Sequence, residues 1–228
     1  MLYAIVRPIV YGLLRLLFRY RAVGVAHVPA AGAVLLASNH ASLLDPPIVG
    51  AAVPRPLHFM AKAELFRVPL LGALIRRLNA HPVIREGGDT AALRLALRLL
   101  REGHALLVFP EGTRTRDGQL GAGKAGVGML AAQAGVPVVP VYVSGSARAL
   151  PRGTRWPRPG RVTVAYGPPL SFNRERGKTR YQAISDEIMA AIGRLQNENE
   201  ERARAVPAGL RHDTDPTAAR TAFAGRIH

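Results

Sequence analysis

"LLASNHASLLDPPIVG" (residues 35–50) sets an apolar run directly against Asn39, His40, Ser42 and Asp45, and two prolines follow at once. The apolar run reads as a buried strand. Asp-Pro-Pro then opens a helix, because proline in the first helical turn leaves no intrahelical bond unmade. His40 and Asp45 are five residues apart, which on one continuous helix would set them about 140° from each other. They can meet only if the chain turns after the strand and Asp45 starts the next helix facing back. The proline after Asp45 disfavours helical geometry at that residue and so permits such a turn. A carboxylate on one imidazole nitrogen would fix the tautomer and leave the other nitrogen as a base for an incoming hydroxyl. The plainer alternative makes Asp45 a helix cap, Asn39 a turn residue and His40 an incidental loop residue. Taken alone, the stretch favours that alternative.

Outward from this stretch, strand and helix patterns alternate. Residues 21–29, 33–39, 57–62, 80–85, 104–112, 136–145 and 161–170 read as strands, and 45–53, 89–103, 121–135 and 179–196 as helices. The clearest helix is "DTAALRLALRLLREG" (89–103), with leucines and arginines segregated at helical spacing and Gly103 to end it. Residues 64–78 read as a broken helix or a pair of short turns. This alternation predicts an α/β fold with a mixed, largely parallel central sheet flanked by helices. Three parts are expected: an N-terminal helix over 1–22, an α/β domain over 23–196 and a mobile C-terminal tail over 197–228.

In "MLYAIVRPIVYGLLRLLFRYR" (1–21) arginines and Pro8 interrupt the apolar run, so no stretch approaches the roughly 20 apolar residues that cross a bilayer. Nor does it have the simple apolar region and cleavage site of a signal peptide. At helical spacing Leu2, Ile5, Ile9, Leu13, Leu16 and Tyr20 share one side, and Arg7, Arg15 and Arg19 lie on another. That pattern suits a helix lying in a membrane interface. Packing on the protein's own core is the alternative. Pro8 is expected to kink or restart the helix.

The 228 residues are 48% hydrophobic and carry a formal charge of +16, which calls for an anionic partner: nucleic acid, lipid headgroups or a phosphorylated substrate. Only 6% of residues are aromatic, which weakens single-strand binding by base stacking. There is no cysteine, so disulfides, thiolate metal sites and cysteine nucleophiles are excluded. No serine sits in a nucleophile elbow, so a His40–Asp45 pair would activate a substrate hydroxyl directly.

A second candidate is "VFPEGTRTRDG" (108–118), a buried strand running into a tight turn. Gly112 permits close backbone approach, amides after a strand can form an anion nest, and Arg114 presents a planar cationic fork. Glu111 could hold that arginine or bind a substrate hydroxyl. A solvated turn with a weak Glu–Arg pair is the alternative. Lys62 and Arg85, at strand ends, stand where α/β sheets gather ligands, although each could be a solvated cation. "SARALPRGTRWPRPG" (146–160), with the only tryptophan, is an exposed basic loop or a contact for headgroups or donor phosphates.

"NHASLLD" (39–45), "HPVIR" (81–85), "FPEGTR" (109–114) and "VPVVPV" (136–141) occur in the order and rough spacing of four blocks of one family. Over about residues 25–170 the chain resembles the glycerolipid acyltransferases, the lysophosphatidate acyltransferase-like family. The resemblance implies His40 as general base and Asp45 as its orienting partner. It implies Glu111, Gly112, Thr113 and Arg114 in the acyl-acceptor site, with Arg114 on the phosphate and Lys62 and Arg85 as further phosphate-binding cations. "VPVVPV" is similar to the block linked to the acyl donor. The implied reaction acylates 1-acylglycerol-3-phosphate to phosphatidate from a thioester. It needs no metal or bound cofactor, and acyl-CoA or acyl-ACP serves as co-substrate. Partners would then be a lipid, the donor (with acyl carrier protein as one candidate carrier) and an anionic membrane surface, with no nucleic acid. The expected location is peripheral, on the cytoplasmic face of the cell membrane. Other acceptors, such as glycerol-3-phosphate, and a non-catalytic basic membrane- or nucleic-acid-binding module are the competing readings.

Overall fold

Seven strands, β1 (Arg21–Val23), β2 (Val34–Ser38), β3 (Leu57–Lys62), β4 (Ala80–Val83), β5 (Ala105–Val108), β6 (Val138–Ser144) and β7 (Thr163–Tyr166), pair into one sheet. Their order is β1-β7-β6-β2-β5-β3-β4. Every neighbouring pair is parallel except β6–β7, where Val143 lies opposite Val164 in an antiparallel ladder. The expected mixed, largely parallel sheet is therefore what forms. The structure is a computed structural model that describes residues 2–83, 89–115, 118–154, 156–174 and 177–205.

The central strands are continuous apolar runs because both faces of the sheet are covered. Alternate residues go to opposite sides. Val34 and Leu36 of β2 join Leu107, Val139 and Val141 in a core beneath helices α1 (Leu2–Phe18) and α2 (Asp45–Ala52). Leu35 and Ala37 join Leu106 and Val138 in a second core beneath α4 (Asp89–Arg101), α5 (Ala125–Ala134) and α7 (Lys178–Ala205). Two short helices, α3 (Leu71–Arg77) and α6 (Ser146–Ala149), follow β3 and β6. The 64–78 region is a 3-10 turn (Ala63–Arg67) followed by α3, so it breaks as its sequence suggested.

Several boundaries differ from expectation. Residues 21–29 give only a three-residue strand, because Gly24, with φ +72°, turns the chain into a 3-10 helix over Val25–His27. A side chain at Gly24 would collide with the Tyr166 carbonyl, so glycine is required there. Helix α1 runs unbroken through Pro8. Helix α7 continues past 197 to Ala205, since the charges that read as a tail form i,i+4 pairs, Arg202–Glu198 and Arg204–Glu200. The remainder of the expected tail lies outside the described residues.

Helix α1 packs on the protein and also leaves an apolar face open. Leu14 and Phe18 are buried, the Tyr3 hydroxyl accepts the Leu57 N–H, and Arg7 donates to the Val53 carbonyl at 2.6 Å. Leu2, Ile5, Ile9, Leu13 and Leu16 point away and stay exposed. Arg7 thus leaves the expected polar side to terminate α2. Tyr20, beyond the helix end, is buried instead of continuing the outward face. Its hydroxyl donates to the Ile48 carbonyl and that of Tyr166 to Val49, so two buried tyrosines fix α2, the helix that begins with Asp45.

At the opposite end of the sheet from β2's carboxyl terminus, His58, His81 and His104 stack. His58 Nδ1 lies 3.0 Å from His81 Nε2, and the His58 and His104 rings are 4.3 Å apart. Burial, reinforced by repulsion from His104 and His81, pushes the His58 pKa down from 6.5 to about 4. In that window the unfolded chain binds the proton and the folded chain does not. Stability is therefore full above pH 6.5 and declines as pH falls toward 4, by on the order of 1 kcal/mol after allowing for solvent screening of this half-buried group. His58→Phe keeps the ring stack without the titration. Thermal melts are expected to show it gaining on the parent at about pH 5 and not at about pH 7.5; parallel pH profiles would contradict this assignment.

Candidate active site

Three neighbouring strands, β6, β2 and β5, end side by side, and the loops that leave them build the site. Asn39, immediately after β2, is buried and bridges to β6. Its amide donates to the Val143 carbonyl at 3.0 Å and its oxygen accepts the Val143 N–H at 2.7 Å. The side chain thus replaces one step of a β-ladder and pins the chain where the strand stops.

The turn from His40 to Asp45 then closes around a single oxygen. Asp45 Oδ2 accepts the Ala41 and Ser42 N–H groups, each at 2.7 Å, and lies 2.9 Å from His40 Nδ1. Asp45 does not cap its own helix, as the plainer reading had it. Pro46 and Pro47 occupy the first turn, so those positions need no cap, and the carboxylate is released to serve the preceding turn. A carboxylate oxygen can only accept, so the His40 Nδ1 facing it carries its proton. The Nε2 of the neutral ring is then the basic nitrogen. The Asp45 side chain is fully buried whereas 11% of the His40 side chain is exposed, so the imidazole meets solvent and its carboxylate does not. Phe109 stacks on the ring at 3.9 Å and 16°, fixing its plane.

Glu111 joins the two loops. Its Oε1 accepts the His40 N–H at 2.9 Å, and its Oε2 accepts the Gly121 N–H at 3.1 Å. Burial pushes its carboxyl pKa up, while these two N–H groups pull in the opposite direction. The carboxylate is thus engaged with backbone beneath the dyad. The Thr115 N–H returns to the His40 carbonyl at 2.9 Å, so the 109–115 loop grips His40 from both sides. Gly112 has φ +70°, and a Cβ there would stand 2.9 Å from Lys124 Nζ. The missing side chain makes room for that lysine to lie across the turn. Nothing in the sequence singles out Lys124: it is set in a run of small residues after "FPEGTR", and only the fold lays it over Gly112.

Thr113 and Arg114 follow on the same turn, Thr113 exposed and Arg114 half-buried. Lys62 is exposed at the carboxyl end of β3, the strand beside β5. Arg85 lies outside the described residues. Among the described residues no group of three or more His, Asp or Glu side chains is placed to hold a metal.

A model of the Acyltransferase family matches residues 19–144, which span β2, the dyad turn, the Glu111 turn and β6. The chain belongs to the acyltransferase family. It is an enzyme that transfers acyl groups. Over 193 residues it is 31% identical to the 1-acyl-sn-glycerol-3-phosphate acyltransferase of Pseudomonas aeruginosa, covering 78% of this chain and 72% of that one. It is 29% identical to the protein of the same name from Bacillus subtilis, over 75% of this chain and 85% of the relative. The plant relative from Limnanthes douglasii is 39% identical, but the chain spans about half its length, 49%. Among solved structures, the 1-acyl-sn-glycerophosphate acyltransferase PlsC from Thermotoga maritima superposes with a TM-score of 0.65 at 28% identity, covering 78% of this chain and 72% of that one.

The clamp role of Glu111 has a direct consequence. Glu111→Gln keeps one acceptor and turns the other into a donor, so either the His40 or the Gly121 N–H loses its partner. Unfolding in urea is expected to show a loss of about 1–3 kcal/mol, the range for an orphaned buried donor. An unchanged midpoint would show that the clamp does not hold the loops.

Proposed function

We propose that this acyltransferase moves an acyl chain from a thioester, acyl-CoA or acyl-ACP, to the free hydroxyl of 1-acylglycerol-3-phosphate, yielding phosphatidate. The observation that carries this reading is the oriented imidazole: His40 Nδ1 on a buried carboxylate, with the ring edge at the surface, in a chain similar along most of its length to proteins named for that reaction.

His40 Nε2 takes the proton of the acceptor hydroxyl as its oxygen attacks the thioester carbonyl. The imidazolium so formed is stabilised by Asp45 and then gives the proton to the departing thiolate sulfur. Charge is therefore carried for part of the cycle by a ring whose other nitrogen faces a carboxylate. Arg114 and Thr113, with Lys62 and Lys124 nearby on the same end of the sheet, supply cations and donors for the acceptor phosphate, and Arg85 is a further cation for it. Glu111 acts by holding His40. The reaction as written uses no metal and no bound cofactor.

The outward face of α1, apolar with Arg15 and Arg19 alongside, seats the protein peripherally on an anionic membrane, where the acceptor resides. Among the described residues no helix is long and apolar enough to cross one. We place that membrane contact on the cytoplasmic side, where thioester donors are made.

Acyl transfer by purified protein, with each donor type, tests this reading. His40→Ala and Asp45→Asn are each expected to lower kcat by about 10²–10⁴-fold with the acceptor KM little changed. The amide introduced by Asp45→Asn would still offer an oxygen to the Ala41 and Ser42 N–H groups, so that variant separates loss of charge from loss of fold. Normal turnover by His40→Ala would remove the dyad from the mechanism. Arg114→Ala is expected to raise the KM for 1-acylglycerol-3-phosphate by about tenfold or more, the scale of a lost charge-assisted contact, and to leave that of the donor unchanged. An unaltered acceptor KM would take Arg114 out of the phosphate site.

A further inference from the structure

The two most exposed large apolar side chains among the described residues stand on loops outside the His40 site. Leu70, 88% exposed, lies at the bend between the 3-10 turn leaving β3 and helix α3. Its φ is +61°, a conformation costly for a leucine. Gly72 makes the bend possible: a Cβ there would collide with the Phe66 carbonyl, so the two arms pack backbone to backbone, and Val68, Leu70 and Leu71 project from the apex. A leucine that is both strained and in water is maintained against two penalties.

Trp156, 82% exposed, lies on the loop between α6 and β7. That loop is anchored at its base. The Arg158 N–H donates to the Ala149 carbonyl at 2.7 Å, and the Thr154 hydroxyl to the Pro151 carbonyl at 2.8 Å. The Ser42 hydroxyl, in the dyad turn, donates to the Leu150 carbonyl at 3.1 Å. At its other end the Val162 N–H donates to the carbonyl of Phe18, the last residue of α1. The Trp156 loop is thus tied on one side to the His40 turn and on the other to α1. Leu43, within the dyad turn, is itself half exposed.

Charge identifies what these side chains meet. Residues 1–44, 65–83 and 146–161 contain no aspartate or glutamate, whereas Arg15, Arg19, Arg67, Arg152, Arg158 and Arg161 are exposed within them. A three-residue apolar tip and a lone tryptophan on separate basic loops do not make the contiguous apolar centre of a protein interface. They match a bilayer, where tryptophan sits at headgroup depth and arginine reaches phosphate while its stem stays among acyl chains.

We propose that the Val68–Leu71 bend and the Trp156 loop are two membrane-inserting contacts. Together with the outward face of α1, they seat the carboxyl end of the sheet on an anionic bilayer, so that the His40 turn opens onto the lipid. This rests on the reading of the acceptor as a membrane lipid, but its test involves no turnover, so failure of one leaves the other standing.

Trp156 is the only tryptophan, so tryptophan emission, excited beyond the tyrosine absorption, reports this loop alone. With vesicles of phosphatidylcholine and phosphatidylglycerol, the emission of the full chain is expected to shift to the blue and to be quenched by brominated acyl chains. Leu70→Gly removes the apolar tip and relieves the positive φ. It is expected to melt no lower than the parent while binding vesicles about tenfold more weakly, the scale of losing one buried leucine side chain. A merely structural role for Leu70 would not separate those two readouts. Vesicle-bound protein with unshifted, unquenched emission would overturn the Trp156 contact, and Leu70→Gly binding at the parent's affinity would overturn the Leu70 contact. A shift produced by acyl carrier protein and not by vesicles would overturn both and assign the surface to an acidic protein instead.

Discussion

One oxygen atom holds the site together. Asp45 Oδ2 faces two backbone amides and the His40 ring within 2.9 Å, inside a residue that is fully buried. Removing a carboxylate from water costs several kcal/mol unless it is well bonded. Three donors on one oxygen meet that condition and at the same time dictate the turn, since Ala41 and Ser42 can reach it only if the chain reverses directly after β2. The bonds that fold the turn are therefore the bonds that orient the imidazole. The other oxygen, Oδ1, is buried with no hydrogen-bond partner among the described residues, so the bonds to the carboxylate all come from one side.

Around that turn the sheet supplies rigidity by neighbourhood. Asn39 fastens it to β6 and Glu111 fastens it to the loop after β5, and these are the two strands that flank β2. Each fastening uses a side chain where a backbone ladder has run out. His40 is thereby held through its own N–H, its carbonyl and its ring, which leaves the imidazole little freedom to move. Preorganisation of this kind matters because a base that must first find its position gives up much of its advantage.

The alternation of strands and helices is legible in the sequence because buried parallel strands are short apolar runs and their crossover helices carry leucine at helical spacing. The His40–Asp45 pairing is permitted by the two prolines but not decided by them: the stretch alone favours a cap and an incidental loop histidine, and the company of "FPEGTR" tips the reading. The roles of Asp45 as closer of the preceding turn and of Glu111 as clamp are not legible, since both depend on backbone amides, which have the same chemistry at every position in a sequence. Lys124 is hidden for a different reason: its nearness to Gly112 arises from the path of the loop between β5 and α5. The end of α7 escapes the sequence because i,i+4 ion pairs and a charged linker share one composition. Continuity of α1 through Pro8 escapes it because the apolar residues are shared between two faces, and burial of Leu14 and Phe18, with Tyr3 and Val10 partly covered, outweighs one lost helical bond.

The topology also decides which loops share the edge that carries the His40 turn. In a parallel sheet the loops after β2, β3, β5 and β6 emerge on one edge, so the dyad turn, the Leu70 bend, the Glu111 turn and the segment leading to Trp156 share it. The single antiparallel pairing, β6 with β7, means that β7 starts at that same edge, and β1, parallel to β7, starts there too. The end of α1 is carried with it. Had β7 been parallel, the chain between α6 and β7 would have had to return to the far edge, and α1 would end away from the site. One reversed strand thus brings the end of α1, the end of the Trp156 loop and the His40 turn to one edge of the sheet.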